Sequence, residues 1–211
     1  ATSGAAPIAP PILEAFTALG LPISEIWGST ELGCVGTANP LDDMRFGTVG
    51  PPLPGVEAAL ADDGELLIRS AAVMRGYRND PVKTAEAIDP EGWLRTGDIA
   101  EIDDDGYVTI IDRKKELLIT STGKNLSPAN IERALKSAGP LIGQACVIGD
   151  RRPYVTALLV LDPDGAAGLD PTDPAVREQV VREVEAANAT LSRPEQVRRF
   201  ELLRDEWLPD G

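Results

Sequence analysis

Arg95-Thr96-Gly97-Asp98-Ile99-Ala100-Glu101-Ile102-Asp103-Asp104-Asp105-Gly106-Tyr107-Val108-Thr109-Ile110-Ile111-Asp112-Arg113-Lys114-Lys115 is the stretch on which the reading of this fold turns. Residues 99–102 and 107–111 are short apolar runs of strand length. Asp103-Asp104-Asp105-Gly106 between them carries the residues that favour a tight turn. A strand, a turn and a returning strand are predicted, with Asp98 fifteen residues before Arg113, a distance that suits a hairpin. At residues 112–115 the texture changes to consecutive charges, which reads as a linker.

Working outward, Gly47-Thr48-Val49-Gly50-Pro51-Pro52-Leu53-Pro54-Gly55 punctuates the chain with glycine and proline. Strands follow at 56–60 and 65–69 around Asp62-Asp63-Gly64, a hairpin signal. A short helix near 81–88 comes after Arg75-Gly76-Tyr77, then a further short strand at 93–94. This middle region reads as a small, mostly β unit or barrel. Upstream, residues 11–19 have helical spacing, with Ile12, Leu13, Phe16 and Leu19 on one face and Gly20 as the C-cap. Residues 21–26 form an apolar run leading into Trp27-Gly28. A strand feeding a polar loop is where α/β sheets place their ligands.

Beyond the linker, a strand at 116–120 and a turn at Thr122-Gly123-Lys124-Asn125 precede a helix through about residue 137. Ser127 is its N-cap and Pro128 its first helical position. Strands at 142–149 and 155–161 flank a turn at Arg151-Arg152-Pro153. A long helix at 174–191 has Val176, Val180, Val184 and Ala187 on one side, and a last strand lies at 200–203. The fold class is therefore α/β (α+β): a first region at 1–111, a joint at 112–115, and a small separate α/β domain at 116–211. There are no internal repeats.

Composition narrows the chemistry. With 211 residues, 43% hydrophobic and 26% charged, the chain has ordinary globular usage. A net charge of −14 argues against general nucleic-acid binding, which needs a basic face. A small phosphate site needs only local positive potential, available at Arg113, Lys114, Lys115 and Lys124. No apolar run reaches the roughly 18 residues of a transmembrane helix. No secretory signal opens the sequence, and Ala1 reads as the middle of a domain. The chain has no histidine, which removes a Ser-His-Asp triad, a Cys-His pair and any His-ligated zinc. Cys34 and Cys146 stand far apart in no metal spacing, in keeping with free thiols in a reducing cytoplasm. Chemistry must rest on carboxylates, lysine, arginine, threonine and backbone dipoles.

Trp27-Gly28-Ser29-Thr30-Glu31 offers such groups. Gly28 allows close backbone approach, the Thr30 hydroxyl can donate to a phosphate oxygen, and the Glu31 carboxylate can hold Mg²⁺ directly or through water. An aromatic ring beside them can stack on a purine. The Asp98 carboxylate can accept from the vicinal hydroxyls of a ribose, as acidic residues do in dinucleotide sites. Each motif also has a plainer reading: a core tryptophan, a capping Thr-Glu, a surface turn.

Taken together, in this order and spacing, Trp27–Glu31, Arg95–Asp98 and Asp112–Lys115 resemble the adenylate-forming superfamily of acyl-CoA synthetases, luciferases and peptide-synthetase adenylation domains. The Asp112-to-Asn125 stretch looks most like the AMP-forming long-chain fatty acid–CoA ligases, and the resemblance runs from Ser3 to about Trp207. It implies the end of a large N-terminal domain, with a β-barrel-like subdomain, followed by a small mobile C-terminal domain. It also implies ATP, Mg²⁺ and CoA as cofactor and substrates, with a fatty acid as the acyl donor.

By that resemblance, Gly4, Ala5 and Ala6 in Ser3-Gly4-Ala5-Ala6-Pro7 line the adenine pocket and Trp27 flanks the adenine, although the family more often has tyrosine there. Gly28 belongs to the same nucleotide site. Thr30 contacts the α-phosphate and Glu31 the magnesium, as the catalytic pair. Asp98 and Arg113 hold the ribose, Lys115 is the hinge, and Gly123 lines the pantetheine tunnel for CoA. The family's Ser/Thr/Gly-rich phosphate loop belongs upstream of Ser3 and its near-terminal catalytic lysine beyond Gly211; the last lysine here is Lys136. A full-length parent is thus expected to make acyl-AMP and then acyl-CoA, and these 211 residues alone are not. A fatty acyl-AMP ligase, another adenylation enzyme and a non-catalytic nucleotide-binding module remain as alternatives. Homodimerisation of the parent and peripheral attachment to a membrane are open.

Overall fold

The computed structural model describes residues 1–5 and 8–207. Ala6, part of the expected adenine-pocket segment, lies outside the described residues. The chain divides into two compact units, Ala1–Lys115 and Glu116–Gly211.

The first unit opens with β1 (Thr2–Ser3), α1 (Pro10–Ala18) and β2 (Ser24–Trp27). β1 and β2 are parallel, and a parallel pair needs a crossover, which α1 supplies. Pro10 and Pro11 start α1, where the missing N–H costs nothing, and Gly20 closes it with φ 77°. The expected apolar face is only partly realised. Leu13 is buried, whereas Ile12 is 49% and Leu19 76% exposed. The stripe is wider than the neighbouring described elements can cover. β3 (Thr37–Ala38) returns antiparallel beside β2.

An antiparallel meander follows: β4 (Val56–Leu60), β5 (Glu65–Ser70), β6 (Leu94–Ile102) and β7 (Val108–Arg113), paired in that order. α2 (Pro81–Ala87) stands between β5 and β6 in the chain, capped by the Asp80 carboxylate, which accepts from the Lys83 N–H. Leu66, Ile68, Leu94, Ala100 and Val108 form its core with Leu32. Two separate short strands were expected at 93–94 and 99–102, but β6 is continuous. Gly97, at φ 73°, takes up an irregularity in pairing without breaking the strand.

The second unit has a hairpin of β8 (Leu118–Ile119) and β9 (Asn125–Leu126), then α3 (Pro128–Ser137), β10 (Ile142–Ile148), β11 (Val155–Leu161), α4 (Pro174–Thr190) and β12 (Val197–Leu203). Only two of the five residues expected as a strand at 116–120 pair, because the partner strand is itself two residues long. Ser127 caps α3 by accepting from the Asn130 N–H. β10 and β11 are antiparallel, β11 and β12 parallel, and α4 is the crossover between the latter two. Val176, Val180, Val184 and Ala187 of α4 enter the core with Ile131, Leu135, Val155 and Leu159.

Periodicity did not reveal Glu183, buried on the same helix. Its carboxylate accepts from the Leu141 N–H, and a Cβ on Gly139 would lie 2.2 Å from its carboxyl carbon, so a side chain there would displace the carboxylate. Burial raises its pKa above the ordinary 4.5, against the lowering effect of the Leu141 and Ile142 N–H groups. The unfolded chain therefore ionises first. Its stability contribution is complete below the ordinary value and is lost as pH rises through the raised one. The stability advantage of wild type over Glu183→Gln should accordingly shrink from acid to neutral pH. Urea unfolding of both proteins across that range checks this, and a pH-independent difference would contradict it.

Candidate functional site

Three segments distant in sequence meet at the Asp98 carboxylate. β6 and β7 place Asp98 directly opposite Arg113, and Arg113 Nε donates to Asp98 Oδ1 at 2.9 Å. Trp27, at the end of β2, donates its indole N–H to Asp98 Oδ2 at 2.9 Å. Asp98 is 4% exposed, whereas Arg113 is exposed. A buried carboxylate gripped on both oxygens has a fixed direction, which a receptor for vicinal hydroxyls needs.

Each residue before Asp98 has a local task. The Thr96 hydroxyl donates to the Leu66 carbonyl and accepts from the Asp98 N–H. The Gly97 N–H donates to Glu65 Oε1 at 3.0 Å, and Arg95 reaches Glu65 Oε2 at 3.3 Å. Lys114 Nζ adds contacts of 2.8 Å to Glu65 and 2.7 Å to Asp63. Burial pushes the Glu65 carboxyl up, but Lys114, the Gly97 N–H and Arg95 outweigh it and leave the pKa below the ordinary value. The charge on Glu65 is thus retained inside the fold.

After Trp27, the chain makes a tight loop and a 3₁₀ turn over Thr30–Leu32. Thr30 is exposed at the start of that turn, and Leu32 plugs it into the core. Glu31 beside Thr30 accepts from the Tyr77 hydroxyl at 2.9 Å, and the Glu31 carbonyl accepts from the Met74 N–H. Local backbone N–H donation and the Tyr77 hydroxyl hold the Glu31 pKa below its ordinary value. A single ionised carboxylate at the surface fits Mg²⁺, which is held by one or two carboxylates together with substrate phosphates. Among the described residues no group of three or more acidic or cysteine side chains forms a self-sufficient metal cage.

Gly28 does something the sequence reading did not foresee. A Cβ there would stand 1.7 Å from the Cys34 carbonyl oxygen, so the close approach it permits is to the chain's own loop. Gly4 is similarly placed against Ile26, and Ala5 adopts φ 70°. Glu25, buried in β2, accepts from the Ile8 N–H and so ties the far side of that segment to the sheet. Lys115 follows Arg113 by two residues, and Gly123 stands further along the chain. Lys115 is exposed two residues after the end of β7, and Gly123 turns the β8–β9 hairpin at φ 76°. Tyr77 and Glu65 were missed by motif reading. An Arg-Gly-Tyr after a strand and an acid at a strand start carry no local signature of their partners.

The comparison with known proteins bears on this geometry. Residues 1–78 match the model of the AMP-binding enzymes, and residues 115–206 match that of the AMP-binding enzyme C-terminal domain. The chain belongs to the AMP-binding enzyme family. Along its whole length it is 50% identical to the putative fatty-acid–CoA ligase FadD11 of Mycobacterium tuberculosis and 37% identical to the long-chain-fatty-acid–CoA ligase FadD15 of Mycobacterium bovis. It spans 39% and 37% of the lengths of those two relatives. Among solved structures, O-succinylbenzoate coenzyme A synthetase from Bacillus subtilis in complex with AMP superposes with a TM-score of 0.80 at 25% identity. That match covers 100% of this chain and 43% of the synthetase. The same enzyme with ATP and magnesium ion gives 0.78 at 25% identity, covering 96% of this chain and 42% of the synthetase. The mixed helix and sheet architecture of this chain is thus the adenylate-forming fold. Both cysteines are free and exposed, and no described helix is long and apolar enough to cross a membrane.

Proposed function

We propose that this chain is the nucleotide-holding end and mobile cap of an AMP-forming long-chain fatty acid–CoA ligase. The observation that carries the proposal is the buried Asp98 carboxylate, held by Trp27 and Arg113 at the confluence of three segments. In the parent, a fatty acid carboxylate attacks the α-phosphorus of ATP, forming acyl-AMP and expelling pyrophosphate. The CoA thiol then attacks the acyl carbonyl, forming the thioester and releasing AMP. Asp98 and Arg113 hold the ribose, and Gly4, Ala5 and Trp27 border the adenine, with Gly28 shaping that side. Thr30 donates to the α-phosphate. Glu31 would hold Mg²⁺, which when bound neutralises phosphate charge. Lys115 is the hinge between regions 1–111 and 116–211, and Gly123 belongs to the CoA side. A cytoplasmic setting suits the free thiols.

The supporting relatives are named fatty-acid–CoA ligases, and one identity reaches 50%. The test is AMP release by the full-length parent with ATP, Mg²⁺, CoA and fatty acids of several lengths. AMP release dependent on a long-chain acid and on CoA is expected. Turnover with an amino acid or aryl acid instead, or acyl-AMP that CoA never discharges, would overturn the reading. These 211 residues alone should bind ATP weakly and turn nothing over. Micromolar affinity by calorimetry would mean that Asp98, Arg113 and Glu31 suffice without a phosphate loop.

A further inference from the structure

Lys114 lies at the end of the first unit, and it is pinned at three points. Its backbone N–H donates to the Gly97 carbonyl at 2.8 Å. Its ammonium reaches across β6 to Glu65 at 2.8 Å and to Asp63 at 2.7 Å. Lys115, the next residue, makes no side-chain hydrogen bond or ion pair among the described residues and is exposed. The boundary between anchored and unanchored chain therefore falls between Lys114 and Lys115, one residue before the division into two units. The anchor is Glu65, 4% exposed. Its second oxygen takes Lys114 and Arg95, and its first takes the N–H of Gly97, the residue before Asp98.

We propose that Glu65 is a positioning residue that joins two functional parts through one carboxylate: the turn presenting Asp98, and the last fixed residue before the pivot. This rests on the reading of Lys115 as a hinge given above. A buried carboxylate with three donors has one orientation, so the Asp98 turn and Lys114 move as one piece. Rotation is confined to Lys115 and beyond, and the swinging region keeps a short tether. Releasing Lys114 lengthens the tether from Lys115 alone to two residues, since Arg113 stays paired in β7. Effective concentration falls roughly as the −3/2 power of tether length, so each half-reaction that needs the cap should slow roughly threefold.

The experiment uses the full-length parent with Lys114→Met, Lys114→Arg and Glu65→Gln. Native protein is exposed to a glutamate-specific protease below its unfolding temperature, and cleavage after Glu116 is followed by mass spectrometry. Cleavage should accelerate severalfold in Lys114→Met, less in Glu65→Gln, where Asp63 still holds the ammonium, and return to the wild-type rate in Lys114→Arg. The double variant Glu65→Gln/Lys114→Met should be no faster than Lys114→Met. Kinetics give the second readout. Lys114→Met should slow acyl-AMP formation and thioester formation while leaving the KM for ATP within about twofold. Glu65→Gln should in addition raise that KM several-fold, since one amide oxygen cannot serve both the Gly97 N–H and the Arg95 and Lys114 cations as the two carboxylate oxygens do. Wild-type cleavage in Lys114→Met, or identical KM values in the two variants, would overturn the proposal. The protease readout needs no turnover, so a parent inactive towards fatty acids would sink the proposed function while leaving the anchor decided on its own.

Discussion

Replacing Asp98 by alanine in the parent enzyme is expected to lower kcat/KM for ATP by roughly 10²–10³-fold. A hydrogen bond to a charged group contributes about 1.5–3 kcal/mol, so two ribose hydroxyls on one carboxylate account for about 3–6 kcal/mol, the lower half of which corresponds to the stated loss. Each 1.4 kcal/mol is a factor of about ten. The substitution also frees Arg113 Nε and leaves the Trp27 indole N–H without its acceptor. Arg113 is exposed and returns to water at little cost. Trp27 is half-buried, and its lost bond should destabilise the first unit by about 1–3 kcal/mol. Asp98→Asn is the informative companion. It keeps an acceptor for Trp27 and the side-chain shape while removing the charge that binds Arg113. Discrimination between ATP and 2′-deoxy-ATP, measured as the ratio of kcat/KM values, should collapse in Asp98→Ala and survive in part in Asp98→Asn. Wild-type kinetics in Asp98→Ala would show that the ribose lies elsewhere.

How much of this arrangement the sequence disclosed depends on where the information resides. The hairpin was readable because its turn is written in consecutive residues, Asp103 to Gly106, and the fifteen-residue spacing became the Asp98–Arg113 register. The α3 cap and the buried stripe of α4 were readable for the same reason: a cap and a period are local. The meeting of Trp27 with Asp98 was not, since it spans 71 residues and follows from how β2 and β6 come together. Tyr77 on Glu31 spans 46 residues and Lys114 on Glu65 spans 49. These bonds join residues that are individually unremarkable in pattern. Glu183 was hidden differently. A charged residue inside an apolar helix face breaks the period, and its acceptor role depends on free N–H groups at the start of β10. Motif resemblance supplied roles for Thr30, Glu31, Asp98 and Arg113. Geometry supplied the reason Arg95, Thr96 and Gly97 accompany Asp98.

Gly28→Ala separates those two kinds of information, and its effect on stability should be among the largest of any single substitution in the first unit. The added Cβ would lie 1.7 Å from the Cys34 oxygen, 2.7 Å from its carbonyl carbon and 2.8 Å from Val35 Cα. All three are backbone atoms, so no side-chain rotation relieves the overlap. The loop cannot simply open either: the Cys34 N–H donates to the Ser29 carbonyl at 3.0 Å and the Gly36 N–H to the Trp27 carbonyl at 2.9 Å. Overpacking of this kind costs up to about 3 kcal/mol, and breaking the loop bonds adds to it. Gly20→Ala is the control. Gly20 has φ 77° but nothing within 4 Å of its would-be Cβ, so only the left-handed backbone penalty of about 1–2 kcal/mol applies. Trp27 and Trp93 lie in the first unit and Trp207 in the second, so tryptophan fluorescence in a Trp207→Phe background follows unfolding of the first unit in urea. Gly28→Ala should unfold at a clearly lower urea midpoint than Gly20→Ala, and any folded remainder should bind AMP more weakly because Trp27 is displaced from Asp98. Equal midpoints would mean that the loop yields freely and that Gly28 is there for a ligand alone.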